Sequence, residues 1–231
     1  MSVIDTTVSA AMLPWSRAGD LRRRRASWRP TVGPGPEARV RSTSTKEEMF
    51  ARGSTARGTI EYLRERVDSR LVDRVLDQLT VAELKQLTSA RDTTELRYSM
   101  LVHLWRIVDA AIRETHPQWI EASGAWAIEQ TGMRLYSGLI KKPSPIEFLT
   151  QQTSLFHLYY RPGDMVLVEE SSGRAVVRLV GFEPGDPLFC RRLSGGWPAA
   201  LTIAGGRSVQ CVHSRCSLEG DLFCEWELRW K

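Results

Sequence analysis

The sequence has no long hydrophobic run. No window approaches the roughly 18 consecutive apolar residues that a membrane-spanning helix needs. The opening segment MSVIDTTVSAAMLPW also lacks the basic-then-apolar order of a secretory signal peptide. Together these absences predict a cytoplasmic protein that has no membrane partner.

Cysteine is scarce, with only 4 among 231 residues. That number is too small for a disulfide scaffold, and in a reducing compartment grouped cysteines are usually metal ligands or buried thiols. The positions of the four cysteines are therefore more informative than their number.

Recognisable catalytic motifs are missing as well. There is no Gly-x-Ser-x-Gly nucleophile turn and no His-Glu-x-x-His metalloprotease motif. The pair Gly53 and Gly58 resembles the start of a phosphate-binding loop, but Thr59 stands where that loop needs lysine. The sequence thus predicts a protein that is not an enzyme.

The positive charge is concentrated near the amino terminus. The chain carries a net charge of +5, and residues 1–48 alone hold nine Lys/Arg against five Asp/Glu, so the remainder is nearly neutral. Residues 1–48 also contain four prolines and no apolar period, which predicts a disordered basic leader. Phosphate contacts would depend on the run Arg22–Arg25, and the neutral body argues against nucleic acid as a partner.

Residues 49–231 are predicted to form a single α+β domain, with a helical half followed by a ββαββ antiparallel-sheet unit. Helix starts are marked by the capping pairs Thr80 with Glu83 and Ser144 with Glu147. After Tyr160 the pattern changes to two strands, a short helix and two more strands. We expect the segment GGWP at 195–198 to interrupt that helix, and the even-numbered residues of 222–230 to point inward from the last strand.

Three cysteines and one histidine have the spacing of a metal site: Cys190, His213, Cys216 and Cys224. Three thiolates and an imidazole form a standard tetrahedral zinc set, and four protein ligands leave no open position for catalysis. The sequence therefore predicts a structural zinc. The alternative interpretation, that these are small buried thiols and a hydrogen-bonded core histidine, stays open. Cys211 is a spare candidate ligand that we expect to pack in the core.

Aromatic residues in the helical half could line a small-molecule pocket between the helices and the sheet. A small hydrophobic ligand is the expected occupant, and core packing is the alternative for each residue. The candidates are Trp105, Trp126, Tyr136, Phe148, Phe156 and Tyr159.

The segments that carry these residues resemble a known family. The cysteine spacing is similar to the zinc site in the sensor domains of bacterial activators of aromatic catabolism, which are members of the 4-vinyl reductase-like ligand-binding family. That family usually has glutamate at the position of His213. The wider sequence from about Phe50, including SPIEFL, YYRPG, AGGRSVQCVHSRC and FCEWELRW, is similar to a family of proteins abundant in myxobacteria.

The resemblance implies an α+β fold shared with TRAPP transport-complex subunits and haem nitric-oxide-binding proteins. By analogy with the haem proteins, His103 and His157 are candidate haem ligands, but the Tyr-x-Ser-x-Arg motif that those proteins use on the haem propionates is absent. Both histidines are expected to be ordinary core or surface residues.

The function predicted from these observations is a non-catalytic small-molecule-binding or regulatory sensor domain with a structural zinc. Such a domain would pass its signal to a separate protein partner, and a homodimer is left open. The alternative is a protein-interaction or assembly module of the same fold that binds no ligand. A less favoured third hypothesis is an auxiliary to pigment vinyl reduction, for which no electron-carrying cofactor motif is visible.

Overall fold

A computed structural model describes residues 48–231, without the side chains of residues 152–154. The predicted basic leader, residues 1–48, lies outside the described residues apart from Glu48. Within the described part of the chain, no helix combines the length and the apolar character needed to cross a bilayer.

The first half of the domain is helical, as predicted. Its helices are α1 (Gly53–Arg66), α2 (Ser69–Leu76), α3 (Val81–Ser89), α4 (Tyr98–Ile112), α5 (Trp119–Ala127), α6 (Met133–Ile140), α7 (Pro145–Leu149) and α8 (Gln152–His157). A π-helical segment, Ile128–Gly132, joins α5 to α6. Three short strands that the sequence did not predict, β1 (Phe50–Arg52), β2 (Glu95–Arg97) and β3 (Tyr160–Arg161), form an antiparallel sheet in the order β2-β1-β3.

The second half confirms the predicted ββαββ unit and, with it, the α+β fold class. Strands β4 (Asp164–Ser171) and β5 (Arg174–Val180) form the first hairpin, helix α9 (Pro187–Ile203) follows, and β6 (Gln210–Arg215) and β7 (Glu225–Arg229) form the second hairpin. All pairings are antiparallel, and the strand order is β4-β5-β7-β6. This sheet packs on α9 through β6 and on α8 of the helical half through β4.

Two helix starts are built by the capping residues that the sequence indicated, and a third cap is seen at α9. Thr80 and Glu83 form a complete capping box at α3, and Ser144 accepts a hydrogen bond from the Glu147 N–H. Asp186 caps α9 by accepting from the Leu188 N–H at 2.8 Å. These contacts satisfy backbone donors that have no partner inside a helix.

Helix α9 is continuous, so the predicted interruption at GGWP is wrong. The glycines there serve close packing between α5 and α9 instead of ending the helix. A Cβ atom on Gly195 would lie 1.9 Å from the carbonyl oxygen of Glu121, and one on Gly124 would lie 2.1 Å from the carbonyl oxygen of Arg192. The backbones of α5 and α9 are therefore in contact. Pro198 removes only one backbone hydrogen bond, and the packing against α5 holds α9 together at this point.

The inward pattern of the last strand is confirmed only from residue 224 onward. Cys224, Trp226 and Leu228 are buried, whereas Leu222 is 95% exposed. The strand begins only at Glu225, so Leu222 lies in the preceding loop, where the period of two does not apply. Glu225, expected to face solvent, is buried and pairs with Arg178 at 2.7 Å.

Candidate functional site

The four predicted metal ligands come together in the structure. Cys190 lies near the start of α9, His213 is on β6, Cys216 follows β6, and Cys224 precedes β7. One ligand atom from each lies within 4.8 Å of the others, and the Cys190 and Cys224 sulfurs are 3.7 Å apart. We call these four residues the Cys/His cluster.

The second hairpin forms the cluster through an irregular register. His213 is paired with Trp226, and the pairing shifts between His213 and Arg215. Cys224 lies before strand β7, so it is not the cross-strand partner of His213. A short 3-10 turn, Ser217–Glu219, returns the chain, and the Cys216 N–H donates to the Asp221 carboxylate at 2.8 Å.

The cluster favours negative charge on one sulfur. The pKa of Cys224 is lowered, chiefly because Cys190 donates a hydrogen bond to it, and the Ser217 N–H lies 3.4 Å from the same sulfur. The pKa of Cys190 is raised, because its proton is shared with Cys224 and its side chain is buried. His213 stacks on Trp226 with ring centroids 4.7 Å apart, and its Nε2 atom is buried without a hydrogen-bond partner.

Cys211 is separate from the cluster. It is partly buried, and burial raises the pKa of its thiol to about 12. It packs against the hydrophobic core, as the sequence predicted.

An apolar cavity of about 80 Å³ lies between α6–α8 and α9. Its wall is almost entirely aliphatic or aromatic. The lining residues are Ile128, Ile140, Phe148, Leu155, Phe156, Tyr159, Tyr160, Met165, Leu193, Gly196, Trp197 and Ala200. We refer to this space as the apolar cavity.

Three of the six predicted pocket residues line the apolar cavity: Phe148, Phe156 and Tyr159. The other three lie elsewhere. Trp105 is fully buried in the core and donates from Nε1 to the Thr59 hydroxyl, Trp126 packs edge-on against Tyr62, and Tyr136 lies behind Tyr159, with ring centroids 5.5 Å apart. The helical spacing identified buried aromatic residues but could not tell which faced the cavity.

A second cavity of about 70 Å³, whose wall is also mostly apolar, adjoins the first. The two share Ile128, Tyr159, Tyr160, Leu193 and Gly196 in their walls. Additional polar groups in the second wall are Ser54, Thr55, Thr131 and Arg192. We refer to it as the polar cavity, after these four polar side chains at its border.

Arg192 is the residue in this region that sequence reasoning missed. Its guanidinium donates to the Ser123 hydroxyl at 2.5 Å and lies over the Trp105 ring at 5.5 Å. Burial lowers the pKa of Arg192, although arginine stays charged in proteins. The only sequence signal was its place beside Arg191, and that signal does not distinguish a buried arginine from an exposed one.

Comparisons with known proteins identify the fold but no sequence family. No family model matches the chain, and no curated protein matches it. Among solved structures, the Fe(II) unliganded H-NOX protein from K. algicida matches with a TM-score of 0.62 and 11% identity, covering 78% of this chain and 96% of that one. The S. oneidensis H-NOX protein in its Fe(II)NO state matches with a TM-score of 0.59 and 12% identity, covering 78% and 99%. These matches confirm the expected fold.

The same comparisons contradict zinc as the cofactor. The metal named for the K. algicida and S. oneidensis proteins is iron. A further matching structure, with a TM-score of 0.58 and 12% identity over 78% of this chain and 99% of that one, is described by its haem redox potential and porphyrin distortion. The prediction of a structural zinc is therefore wrong on this comparison. That the four residues of the cluster bind a metal ion stays a prediction.

The residues that line the apolar and polar cavities do not fit a haem either. None of the chain's four histidines lines the apolar or the polar cavity. His103 is exposed and bonds with Glu83, His157 bonds with Asp164 at 2.6 Å, and His213 belongs to the cluster. The cavities of about 80 and 70 Å³ are also far smaller than the roughly 300–1,000 Å³ of sites for drug-sized ligands. His103 and His157 both lie on the surface, one of the two placements that the sequence predicted for them.

Proposed function

We propose that this chain is a non-catalytic domain of the 4-vinyl reductase-like kind that binds a small molecule in the apolar cavity. One observation carries the proposal: an apolar space in the core adjoins a second cavity bordered by buried hydroxyl groups, and among the described residues no hydrogen-bond partner is found for those of Ser54 and Tyr159. Buried polar groups in native proteins are normally satisfied. A ligand that extends from the apolar cavity into the adjoining one would satisfy them.

The shared fold supports this proposal. The S. oneidensis protein is described in an NO-bound state, so one protein of this architecture holds a small ligand. In the present chain the two adjoining cavities have volumes of about 80 and 70 Å³. Together they suit a molecule of a few heavy atoms up to about the size of a single ring, since an engineered cavity of about 150 Å³ binds benzene. The comparisons give no support to the alternative of an assembly module, and a separate signalling partner stays a prediction.

Filling the cavity tests the proposal. Ala200 is buried in the cavity wall on α9, and Thr202 is exposed on the same helix. Ala200→Leu adds side-chain volume inside the cavity, whereas Thr202→Leu adds it on the surface. We expect benzyl alcohol and benzoate to shift the NMR signals of Phe148 and Phe156 in the wild type and in Thr202→Leu, but not in Ala200→Leu. Wild-type protein that responds to neither compound would refute the proposed function.

A further inference from the structure

Arg192 is a buried cation without a buried anion. It is 5% exposed, and the groups that surround its guanidinium are hydroxyls and an aromatic ring: Ser123, Tyr160, Tyr159 and Trp105. No carboxylate in the described part of the chain pairs with it. Removing a charged group from water costs several kcal/mol unless an opposite charge and good hydrogen bonds compensate for it. Neutral hydroxyls supply only part of that compensation.

The space beside Arg192 contains hydrogen-bonding groups that are not used. The buried hydroxyls of Ser54, in the first turn of α1, and of Tyr159 have no hydrogen-bond partner among the described residues, and the Thr55 hydroxyl contacts that of Tyr160. Ser54 and Tyr159 line the polar cavity together with Arg192. A hydroxyl can donate one hydrogen bond, so two unused donors and a guanidinium converge on one small volume.

The apolar cavity continues from this polar end. Tyr159 and Leu193 belong to both walls, while Phe148 and Phe156 line only the apolar side. Both walls are mostly apolar, and the polar side chains that border the combined space, apart from the shared tyrosines, lie at the end near Arg192.

We propose that the ligand is a small monocarboxylic acid with an apolar or aromatic body, whose carboxylate pairs with Arg192 and accepts hydrogen bonds from Tyr159 and Ser54. This inference rests on the proposed function and specifies the ligand of the same site. The planar guanidinium matches a carboxylate in two-point geometry. The small volume of the polar cavity and the apolar wall beyond it favour a carboxylate on an apolar body over a more heavily charged anion.

The test compares a charged and a neutral ligand of equal size. Isothermal titration of the full chain with benzoate and with benzyl alcohol gives the preference for the carboxylate. We expect benzoate to bind about tenfold more tightly or better, since hydrogen bonds to charged groups contribute about 1.5–3 kcal/mol and each 1.4 kcal/mol is a factor of ten. Acetate, which has the charge but no apolar body, is expected to bind more weakly than benzoate.

Variants locate the preference at Arg192. Arg192→Gln is expected to reduce benzoate affinity to that of benzyl alcohol. Arg191→Gln is the matched control: Arg191 is the preceding residue on α9, but it pairs with Glu121 at 2.6 Å outside both cavities, so its loss should leave the preference unchanged. Tyr159→Phe removes only the unpartnered hydroxyl and should weaken benzoate by about threefold to tenfold. This variant keeps the test valid if Arg192→Gln does not fold.

The outcomes separate the two proposals. Binding of benzyl alcohol as tight as that of benzoate, or a preference for benzoate that survives in Tyr159→Phe and Arg192→Gln, would overturn the carboxylate assignment and leave the small-molecule site intact. Wild-type protein that binds neither compound would overturn both. A benzoate preference that disappears equally in Arg191→Gln would show that overall charge, and not the polar cavity, is responsible.

Discussion

Substituting Gly195 by alanine should separate α5 from α9. The new Cβ would lie 1.9 Å from the Glu121 carbonyl oxygen, whereas ordinary van der Waals contacts of a Cβ begin at 3.4 Å. The backbones would have to move apart by the difference, about 1.5 Å. Because the contact is with backbone and not with the end of a flexible side chain, no rotamer change relieves it.

The expected cost follows from this displacement. Overpacking a well-packed interior typically costs about 1–3 kcal/mol, and a clash between two helix backbones should be at or above the upper end, about 3 kcal/mol. For a domain of this size each kcal/mol lowers Tm by about 2–4 °C, so we expect a decrease of roughly 6–12 °C. Chemical denaturation followed by tryptophan fluorescence measures the free energy of unfolding directly.

Gly138 offers a matched control. It is exposed on α6, and a Cβ added there would have no atom within 4 Å. Gly138→Ala should therefore stabilise the protein by about 0.5–1 kcal/mol, since alanine loses less backbone entropy than glycine in a helix. If Gly195→Ala is no less stable than the wild type, or is equal to Gly138→Ala, the backbone contact between α5 and α9 is not as close as described.

Three further predictions concern capping, pH and haem. Asp186→Ala removes the cap of α9 and the 2.6 Å ion pair with Arg106 and should cost about 1–2 kcal/mol in the free energy of unfolding; a loss below about 0.3 kcal/mol would contradict the cap. Hydrogen bonds from Thr80 lower the pKa of Glu83 to about 2, so its contribution to stability is present above pH 4.5 and is lost as the pH falls toward 2. The unfolding free energies of wild type and Glu83→Gln should thus converge as the pH falls over that range. If the two free energies instead stay a constant distance apart at every pH, the lowered pKa of Glu83 is contradicted. Hemin added to the purified protein should give no stoichiometric Soret band. A spectrum that saturates at one haem per protein would show that the chain does bind haem, against this expectation.

Much of the fold could be predicted from local chemistry. The change of pattern after Tyr160 and the alternation of residues 222–230 indicated the ββαββ unit, because such signals act within a few residues of the chain. Strands β1, β2 and β3 were not predicted, since two or three residues carry no usable period. The course of α9 through Gly195 and Pro198 depends on α5, which no local signal reports.

The sites show the same limit. The Cys/His cluster was predicted because its residue types are rare and their spacing is informative. Arg192 could not be predicted, because its burial depends on α1 and α5, which lie about 65 to 140 residues away in sequence. Only three of the six predicted aromatic residues line the cavity. The sequence could not distinguish a core residue such as Trp105 from a cavity-lining residue such as Phe148, because both kinds of residue have the same helical spacing.

Helix α9 gives the two sites a common support. Cys190 and Arg192 are separated by two positions, which turns their side chains about 200° apart around the axis, so opposite sides of the same rod face the Cys/His cluster and the polar cavity. Any rotation of α9 that changes the position of Arg192 at the polar cavity must also change the position of Cys190 in the Cys/His cluster. Ligand binding in the cavities and the protonation or metal binding of the cluster thiols are thus expected to be thermodynamically linked through α9.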